Sequence, residues 1–386
     1  MLPGSEPINP ATYRWHVRCN CLYVRFFLAI AALLLGIAPG LAPAAEPSCV
    51  STLQKEQIEA AMLPAEFRAL LTQARYLDGK AEFEAIRARR LKEISNPMHA
   101  PALLDHGKQT DYVVVLTHGL YDSPNSHRAL AKKFYEKGMN VVMPLLPGHW
   151  SKDPTKLDKV TYKDFLREQK RAIQIAKKMG KKVILAGHST GGLLAVDSAI
   201  KDPSIAGLVL AAPALDLSPE AAVVAKIGAF FEGTNANYFM RKQPDPFYMP
   251  YYSAHAGNEV QKLVNEMRRQ NGFDDLPFFD NGEERAYKQR MYRRIKAPTF
   301  VMTAGHDVAI DNDEVDIFVS STRGPRKQVR AENLAHTDLG NFAPAEGKRA
   351  PASEKAGTLR GLWAAADRFL DENLPGMKKK PIKARY

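Results

Sequence analysis

The sequence predicts an α/β fold in which helices cover both faces of a mostly parallel sheet and a largely helical cap is inserted. Short, continuous apolar runs such as Tyr112–Thr117 alternate with segments of helical spacing along most of the chain. Apolar runs of this kind are typical of parallel strands that are buried on both faces. The alternation stops over residues 217–294, which contain no clear strand and many Tyr and Phe residues. We interpret that interval as the inserted cap.

The individual elements follow from local signals. Residues 50–95 have helical apolar spacing, and we place no strand before Tyr112. Ser123 and Pro124 favour a helix start, because Ser caps a first turn and Pro at the first position loses no hydrogen bond; Gly138 ends that helix. The other predicted elements are strands at Asn140–Met143, Lys182–Ala186, Ile205–Ala211, Pro298–Thr303 and Lys327–Arg330, and helices at Thr161–Met179, Gly191–Ile200 and Ser353–Leu370.

Residues 1–44 have the pattern of a signal peptide. Basic residues precede the apolar run Phe26–Leu35, and Ala42 to Ala44 offer small side chains for cleavage. We expect export to the periplasm or the medium; the alternative is an uncleaved inner-membrane anchor formed by residues 26–42. The remaining segments are then an N-terminal extension with the early core (45–110), two parts of the core (111–216 and 295–374) around the cap (217–294), and a basic tail (375–386).

The formal net charge is +12, with lysine pairs such as Lys177 and Lys178 and a basic tail. A basic exported protein can contact an anionic membrane surface, although solvated helix faces explain the same charges. The sequence shows no arginine-rich pattern of the kind that forms a nucleic-acid-binding groove, so we expect no nucleic acid partner. Cleavage of the leader leaves Cys49 as the single cysteine, so we expect no internal disulfide. The sequence also lacks the Cys and His spacing of a structural zinc site, so we expect no such metal.

The segment Gly187–Gly191 reads Gly-His-Ser-Thr-Gly between a predicted strand and a predicted helix. This G-x-S-x-G arrangement is typical of a nucleophile elbow. The tight turn forces Ser189 into strained backbone angles that lift its hydroxyl off the sheet, and glycines at 187 and 191 avoid collisions with the neighbouring strand and helix. Ser189 is therefore the candidate nucleophile of a serine hydrolase.

A serine nucleophile needs a base and an acid that orients the base, in the chain order Ser, acid, His. Asp307 follows the strand Pro298–Thr303 and is the candidate acid, and His336 follows the next strand and is the candidate base. Asp216 is an alternative acid, whereas Asp311 and Asp313 fit the start of a helix better.

The other histidines fit the role of base less well. The side chain of His188 should point away from the Ser189 hydroxyl, and His306 should face away from the acid beside it. We expect structural roles for His118 and His149, which lie in turns, and find no special context for His127 and His255.

Two backbone N–H groups are candidates for an oxyanion hole. Thr190 follows the nucleophile and supplies one donor. The second should come from the loop after the first clear strand, where Gly119 permits a tight turn, and we assign it to Leu120.

These motifs resemble the α/β-hydrolase superfamily. The resemblance rests on His118–Pro124, Pro144–His149 and Gly187–Gly192, and is strong over residues 110–215 and weaker over 298–340. The branch it is most similar to contains bacterial carboxylesterases, monoacylglycerol lipases, lysophospholipases and serine aminopeptidase-type hydrolases. Two departures are Trp150, where glycine is frequent, and Thr190, where methionine or leucine is usual.

The resemblance implies hydrolysis of an acyl ester through a covalent intermediate on Ser189, with no metal or organic cofactor and with a small acyl ester or lipid as substrate. A peptidase or amidase with the same triad is an alternative; it would hold a substrate amine with an acidic residue of the cap, for which Glu220, Glu232 and Asp245 are candidates. A binding protein that has kept the fold without the chemistry is a further alternative, against which the complete set of site residues argues.

Overall fold

The computed structural model describes residues 65–221, 238–240, 247–272, 281–305, 307–340 and 353–377. The chain divides into two units, and the second, Ala65–Tyr386, contains all of these residues. Several predictions fall outside the described residues: the leader, Cys49, the cap residues Glu232 and Asp245, His306, and the tail from residue 378 onward.

The core is a seven-stranded sheet in the order β1-β3-β2-β4-β5-β8-β9. Strand β1 runs antiparallel to β3, and all the other neighbouring strands of this sheet are parallel. The predicted sheet is thereby confirmed, and each predicted strand is present with its ends moved by at most two residues. The strands are β1 (Ala102–Leu104), β2 (Thr110–Thr117), β3 (Asn140–Met143), β4 (Gly180–His188), β5 (Gly207–Ala211), β8 (Thr299–Ala304) and β9 (Arg326–Ala331).

The helices between these strands bury apolar faces against the sheet. Ser123 caps a short 3₁₀ helix, Pro124–His127, that continues into the second α-helix, as the Ser-Pro signal predicts. Helix α3 has a capping box formed by Thr161 and Asp164, which satisfies free N–H groups of its first turn. The helices are α1 (Ala65–Glu93), α2 (Arg128–Glu136), α3 (Tyr162–Met179), α4 (Thr190–Lys201), α5 (Ala254–Gln270), α6 (Asn281–Tyr292), α7 (Asn312–Ser321), α8 (His336–Leu339) and α9 (Ser353–Asn373).

The interval 217–294 corrects one prediction. It contains strands β6 (Tyr238–Met240) and β7 (Tyr251–Ser253), which form a separate antiparallel pair. Three-residue strands rich in tyrosine and phenylalanine are too short to show the alternation on which strand prediction depends, and pairing with each other stabilises them. Helices α5 and α6 supply the helical part of the predicted cap.

Strand β1 is an element that the sequence reading did not place. Its three residues are partly buried and pair with β3 at the edge of the sheet. An antiparallel edge strand of this length carries too few residues for a periodic signal. Among the described residues, no helix is both long enough and apolar enough to cross a membrane.

The parallel strands bring the candidate site together. Strands β2, β4, β8 and β9 run in the same direction, so their carboxyl ends meet at one edge of the sheet. The loops that follow these strands carry Leu120, Ser189, Asp307 and His336 respectively. The fold therefore gathers at one edge residues that are more than 200 positions apart in the chain.

Candidate active site

Ser189 has strained backbone angles. Its φ is 53° and its ψ is −117°, a conformation that a residue with a side chain rarely adopts. Strand β4 ends at His188 and helix α4 begins at Thr190, so Ser189 is the whole turn between them. Its N–H donates to the Ala211 carbonyl at 2.9 Å, and its own carbonyl accepts from Leu193 at 3.0 Å. These bonds hold the elbow that the G-x-S-x-G pattern predicts.

The glycines around Ser189 are required by space. A Cβ on Gly187 would overlap the backbone of Gly191, and a Cβ on Gly191 would overlap the carbonyl of Thr117 at the end of β2. A Cβ on Gly192 would lie 2.8 Å from the backbone of Pro213. The start of α4 is therefore packed directly against the ends of β2 and β5, and side chains at these positions would push it away.

Asp307 and His336 form a hydrogen-bonded pair. Nδ1 of His336 lies 2.8 Å from Oδ2 of Asp307, whose side chain is fully buried. The other carboxylate oxygen accepts the N–H groups of Ala309 and Ile310 at 2.9 and 3.2 Å. Burial opposes ionisation of Asp307, but the bond and charge of His336 and the two N–H groups together lower the pKa of this carboxyl group. Asp307 therefore stays an anion that orients the His336 ring.

The alternative acid, Asp216, has other partners. Its Oδ2 accepts from the guanidinium of Arg268 at 2.6 Å, and its Oδ1 accepts the N–H of Leu217. Asp311 caps α7 by accepting the N–H of Asp313, as its position in the sequence predicts. Among the described carboxylates, Asp307 is the one bonded to His336.

The loop histidines His118 and His149 have the structural roles that we expected. Nε2 of His118 accepts the N–H of Leu146 at 3.0 Å, and Nε2 of His149 accepts the N–H of Tyr121 at 3.1 Å. Burial is the main reason that the pKa of His118 falls to about 3 and that of His149 to about 4. Both rings are thus neutral and hold loops in place.

The interpretation of His127 as a residue without special context is wrong. Its ring is buried, and its Nε2 lies 3.2 Å from Oδ2 of the buried Asp122. The sequence reading assigned no role to either residue. A signal was present in the sequence, because residues 122–127 are polar apart from Pro124 and begin only five positions after the last residue of the buried strand β2. His255 is also buried, and its Nε2 lies 2.8 Å from the Val160 carbonyl.

The candidate nucleophile and base come from adjacent loops. The ring of His188, the residue before Ser189, lies 4.9 Å from the His336 ring, measured between centroids, and its Nε2 lies 3.0 Å from the His336 carbonyl oxygen. Among the described residues, His188 is thus hydrogen-bonded to the His336 loop and not to the hydroxyl of Ser189. Among the described residues, that hydroxyl has no hydrogen-bond partner. In a free hydrolase the serine–histidine bond is often long and shortens only when substrate binds.

The two predicted oxyanion donors are available. Among the described residues, neither the N–H of Leu120 nor the N–H of Thr190 donates to a protein group. Thr190 is the first residue of α4, where N–H groups have no partner inside the helix and the helix dipole is positive. Gly119 brings the other loop close, since a Cβ on it would lie 3.2 Å from Cβ of Ser189.

The interval predicted as a cap contacts both the Leu120 loop and the His336 loop. The hydroxyl of Tyr121 donates to the Ser253 carbonyl at 2.6 Å, and its ring meets that of Tyr252 edge-on at 5.0 Å. The hydroxyl of Tyr248 donates to the Thr337 carbonyl at 3.1 Å. Aromatic residues of this interval therefore lie beside the Ser189 elbow.

One group of metal-ligand type exists among the described residues. It consists of Asp122, His127 and His188, whose nearest nitrogen and oxygen atoms all lie within 4.8 Å of one another. All three side chains are buried, and each already contacts another protein group.

Trp150, a departure from the resemblance noted above, has a φ of 53° and stacks on His99. A positive φ is the conformation for which glycine is usual.

The fold and this site define an α/β-hydrolase. The chain belongs to the family described as serine aminopeptidase, S33, whose model matches residues 108–339. The resemblance drawn from the sequence motifs is thereby confirmed. The matched range contains Leu120, Ser189, Asp307 and His336.

Two named enzymes are related to this chain in sequence. A thermostable monoacylglycerol lipase of Bacillus sp. strain H-257 is 29% identical over 224 residues, which cover 58% of this chain and 82% of the relative. Phospholipase YtpA of Bacillus subtilis strain 168 is 29% identical over 107 residues, and the match spans 27% of this chain and only 41% of the phospholipase.

Solved structures share the fold. A metagenome-derived lipolytic enzyme from a study of LipS and LipT superposes with a TM-score of 0.53 at 19% identity and covers 70% of this chain and 98% of its own. A soluble variant of monoglyceride lipase from Saccharomyces cerevisiae, in complex with a substrate analogue, gives a TM-score of 0.52 at 12% identity over 70% of this chain and 91% of its own. The predicted α/β-hydrolase fold is confirmed.

Proposed function

We propose that this protein hydrolyses carboxylic esters of lipid acyl chains, such as monoacylglycerol or lysophospholipid, through a Ser189–His336–Asp307 triad. The observation that carries the proposal is the 2.8 Å bond between His336 and the buried carboxylate of Asp307, beside a serine held at a φ of 53°. Neither feature is needed for stability alone, because a buried charge and a strained turn both cost free energy.

The proposed reaction follows from which atoms carry protons. The N–H at Nδ1 of His336 donates a hydrogen bond to Asp307, so Nε2 has a lone pair and can take the proton of the Ser189 hydroxyl. The serine oxygen then attacks the ester carbonyl carbon, and the carbonyl oxygen becomes an oxyanion between the N–H groups of Leu120 and Thr190. Each such donor typically lowers the barrier by about 3 kcal/mol.

The intermediate collapses when His336 returns the proton to the leaving alcohol, which departs and leaves an acyl group on Ser189. Water enters, gives a proton to Nε2 of His336 and attacks the acyl carbon. The serine oxygen leaves and takes the proton back, and the free acid is released. Asp307 stabilises the positive charge of the His336 ring at both stages without taking its proton.

The substrate class is supported by two observations. The relatives described above are a monoacylglycerol lipase and a phospholipase, and both names denote lipid substrates. The interval beside the elbow also contains aromatic rings, among them Tyr252 and the buried Tyr248, and such rings suit an acyl chain.

The peptidase alternative requires a carboxylate near the site. Of the three candidate acids of the cap, Glu220 alone lies within the described part of the chain, and it is exposed. An exposed carboxylate in water binds an amine weakly. Ester hydrolysis is therefore the function we propose.

A substrate panel tests the proposal. p-Nitrophenyl esters from acetate to palmitate, monooleoylglycerol, lysophosphatidylcholine and an aminoacyl anilide would be offered to the wild type and to Ser189→Ala. We expect turnover of the esters with longer acyl chains, none of the anilide, and no turnover by the variant. Labelling of the wild type but not of Ser189→Ala by a fluorophosphonate would identify the reactive serine. Anilide cleavage without ester cleavage would favour the peptidase, and an unlabelled wild type would favour a binding protein.

We further propose export and contact with an anionic membrane, on the basis of the leader pattern in residues 1–44 and the basic tail. N-terminal sequencing of the protein recovered from an exporting host would give the cleavage site; an intact N terminus in the membrane fraction would favour the anchor at residues 26–42. Removal of residues 378–386 should weaken sedimentation with anionic vesicles at low salt and leave binding to neutral vesicles unchanged. Equal binding by both forms would exclude a role of the tail.

A further inference from the structure

His188 is fixed between the loops of the candidate site. Its Nε2 lies 3.0 Å from the carbonyl oxygen of His336. A carbonyl oxygen only accepts, so this nitrogen carries the proton, and Nδ1 of the neutral ring has only a lone pair. Burial, followed by the nearby rings of His336 and His127, lowers the pKa of His188 to about 3, so the ring is neutral at neutral pH.

Two glycines from different loops pack against the same ring. A Cβ on Gly119 or on Gly340 would lie 2.9 Å from Nδ1 of His188. Gly119 belongs to the loop of Leu120, and Gly340 follows the short helix that begins at His336. The His188 ring therefore lies against both loops, and neither loop can come closer without moving it.

A buried polar pair, Asp122 and His127, lies next to His188. The Oδ1 atom of Asp122 accepts the N–H of Ser123 at 2.7 Å and the hydroxyl of Ser126 at 2.6 Å, while its Oδ2 lies 3.2 Å from Nε2 of His127. The nearest donor or acceptor atoms of Asp122, His127 and His188 lie within 4.8 Å of one another. The side chains of Asp122 and His127 are respectively 0% and 1% exposed.

Such a cluster is costly to bury, and several of its atoms have no regular hydrogen bond within the described part of the chain: Oδ2 of Asp122, both ring nitrogens of His127 and Nδ1 of His188. Apolar side chains of similar size would fill the same volume without that cost. A stability role alone therefore does not account for the polar groups. These three side chains share a location, because they lie where the Leu120 loop, the elbow and the His336 loop meet.

We propose that His188, supported by the Asp122–His127 pair, is a positioning residue that fixes the main chain of His336 for the reaction at Ser189. Among the described residues, the ring of His188 is hydrogen-bonded to the His336 carbonyl and not to the Ser189 hydroxyl, so we assign it a role that acts through the base residue. It fixes the carbonyl of the base residue, and through it the direction of the imidazole. The inference rests on the proposed function, because it assigns a role within that reaction.

The expected loss of kcat follows from how strongly reaction rates depend on the positions of the reacting groups. A misplacement of about 1 Å between reacting groups can reduce a rate about 10²-fold. Loss of the His188–His336 bond removes one constraint, so we expect kcat to fall about 10- to 100-fold. KM should change by less than about twofold, since substrate binding does not depend on the angle of the base.

The experiment compares His188→Met, which fills the space without a donor, with His188→Gln, whose Nε2 amide group can still donate to the His336 carbonyl. Steady-state kinetics with the best p-nitrophenyl ester, fluorophosphonate labelling rates and thermal unfolding would be measured for each. His106→Met is the matched control, because Nε2 of His106 also lies close to a backbone carbonyl, that of Tyr135 at 3.1 Å. His106 precedes β2, so it lies at the opposite edge of the sheet from the candidate site.

We expect His188→Met to lose kcat and labelling rate together, His188→Gln to recover most of both, and His106→Met to match the wild type. Asp122→Asn should lower kcat less than His188→Met does and add little when combined with it, because both act on one network. Equal kcat in the wild type and folded His188→Met, or equal loss in His188→Met and His188→Gln, would overturn the positioning role while the proposed function stands.

Two other results would also overturn it. One equivalent of metal in the purified wild type, lost together with activity in Asp122→Asn, would make these three side chains metal ligands instead. A wild type that neither cleaves esters nor reacts with the fluorophosphonate would refute the proposed function itself and this role with it.

Discussion

Ser189 donates its N–H to the carbonyl of Ala211 at 2.9 Å, and this bond ties the strained elbow to the neighbouring strand β5. The elbow keeps a φ of 53° at a residue with a side chain, while the Ser189 hydroxyl contributes no hydrogen bond among the described residues. Strain of this kind typically costs 1–3 kcal/mol and persists only where the surrounding structure holds it. Stability and reactivity are therefore opposed at this position.

Ser189→Gly should make the protein more stable and inactive. Glycine adopts a positive φ without strain, although it loses more backbone entropy on folding, so we expect a net gain of about 1 kcal/mol in the free energy of unfolding. Ser189→Ala is the control, since it lacks the hydroxyl but keeps the strain. Urea unfolding of the two variants measures the difference, and an alanine variant at least as stable as the glycine variant would contradict the strain.

Asp307→Asn should reduce kcat about 10⁴-fold, the effect known for the equivalent change in a serine protease triad. The amide cannot hold the His336 ring in the required tautomer or stabilise its positive charge. Asp216→Asn is the matched control and should retain kcat within about threefold, because Asp216 is bonded to Arg268 instead. The assignment of the acid would pass to Asp216 if the two variants showed the reverse order in ester hydrolysis.

Gly191→Ala should destabilise the fold by about 3 kcal/mol or more, because its Cβ would overlap the Thr117 carbonyl and force α4 away from β2. Gly207→Ala is a matched control in a buried strand. There the nearest atoms to an added Cβ are 3.6 Å away, which is an ordinary contact, and we expect a change within about 1 kcal/mol. The denaturant midpoints of the two variants measure this difference in stability. Equal midpoints would be inconsistent with the close packing of the elbow.

Stability should fall as the pH is lowered from about 6.5. The buried rings of His118, His149 and His188 have pKa values lowered from 6.5 to about 3, 4 and 3. Below pH 6.5 the unfolded chain binds protons at these residues while the folded chain does not, so the free energy of unfolding decreases with falling pH until the folded values are reached. Each ring contributes a slope of up to about 1.4 kcal/mol per pH unit.

Urea unfolding between pH 7 and pH 4.5 measures that slope. His149→Gln is the informative variant, because its amide oxygen can still accept the Tyr121 N–H but does not titrate. We expect its slope to be smaller than that of the wild type by about one ring's contribution. Parallel curves for the two proteins would show that His149 is not kept neutral by burial.

Much of the candidate site could be predicted from the sequence, because its signals are local. The elbow requires glycines within two residues of Ser189, and Asp307 and His336 lie three and five residues after the ends of β8 and β9. The Asp122–His127 pair and the role of His188 could not be predicted. They depend on contacts between loops that follow β2, β4 and β9, and no local pattern reports which side chains of separate loops face each other.

The sequence itself determined the main strands and helices of the core, the candidate nucleophile and base, two alternative acids, and the likeness to α/β-hydrolases, since apolar periodicity and glycine spacing act over a few residues. The tertiary structure decided that Asp307 and not Asp216 is hydrogen-bonded to His336, that the short aromatic strands β6 and β7 pair, and that Asp122 and His127 are buried. Each of these depends on free-energy differences between long-range contacts, where burial and hydrogen bonding to distant residues outweigh local preference.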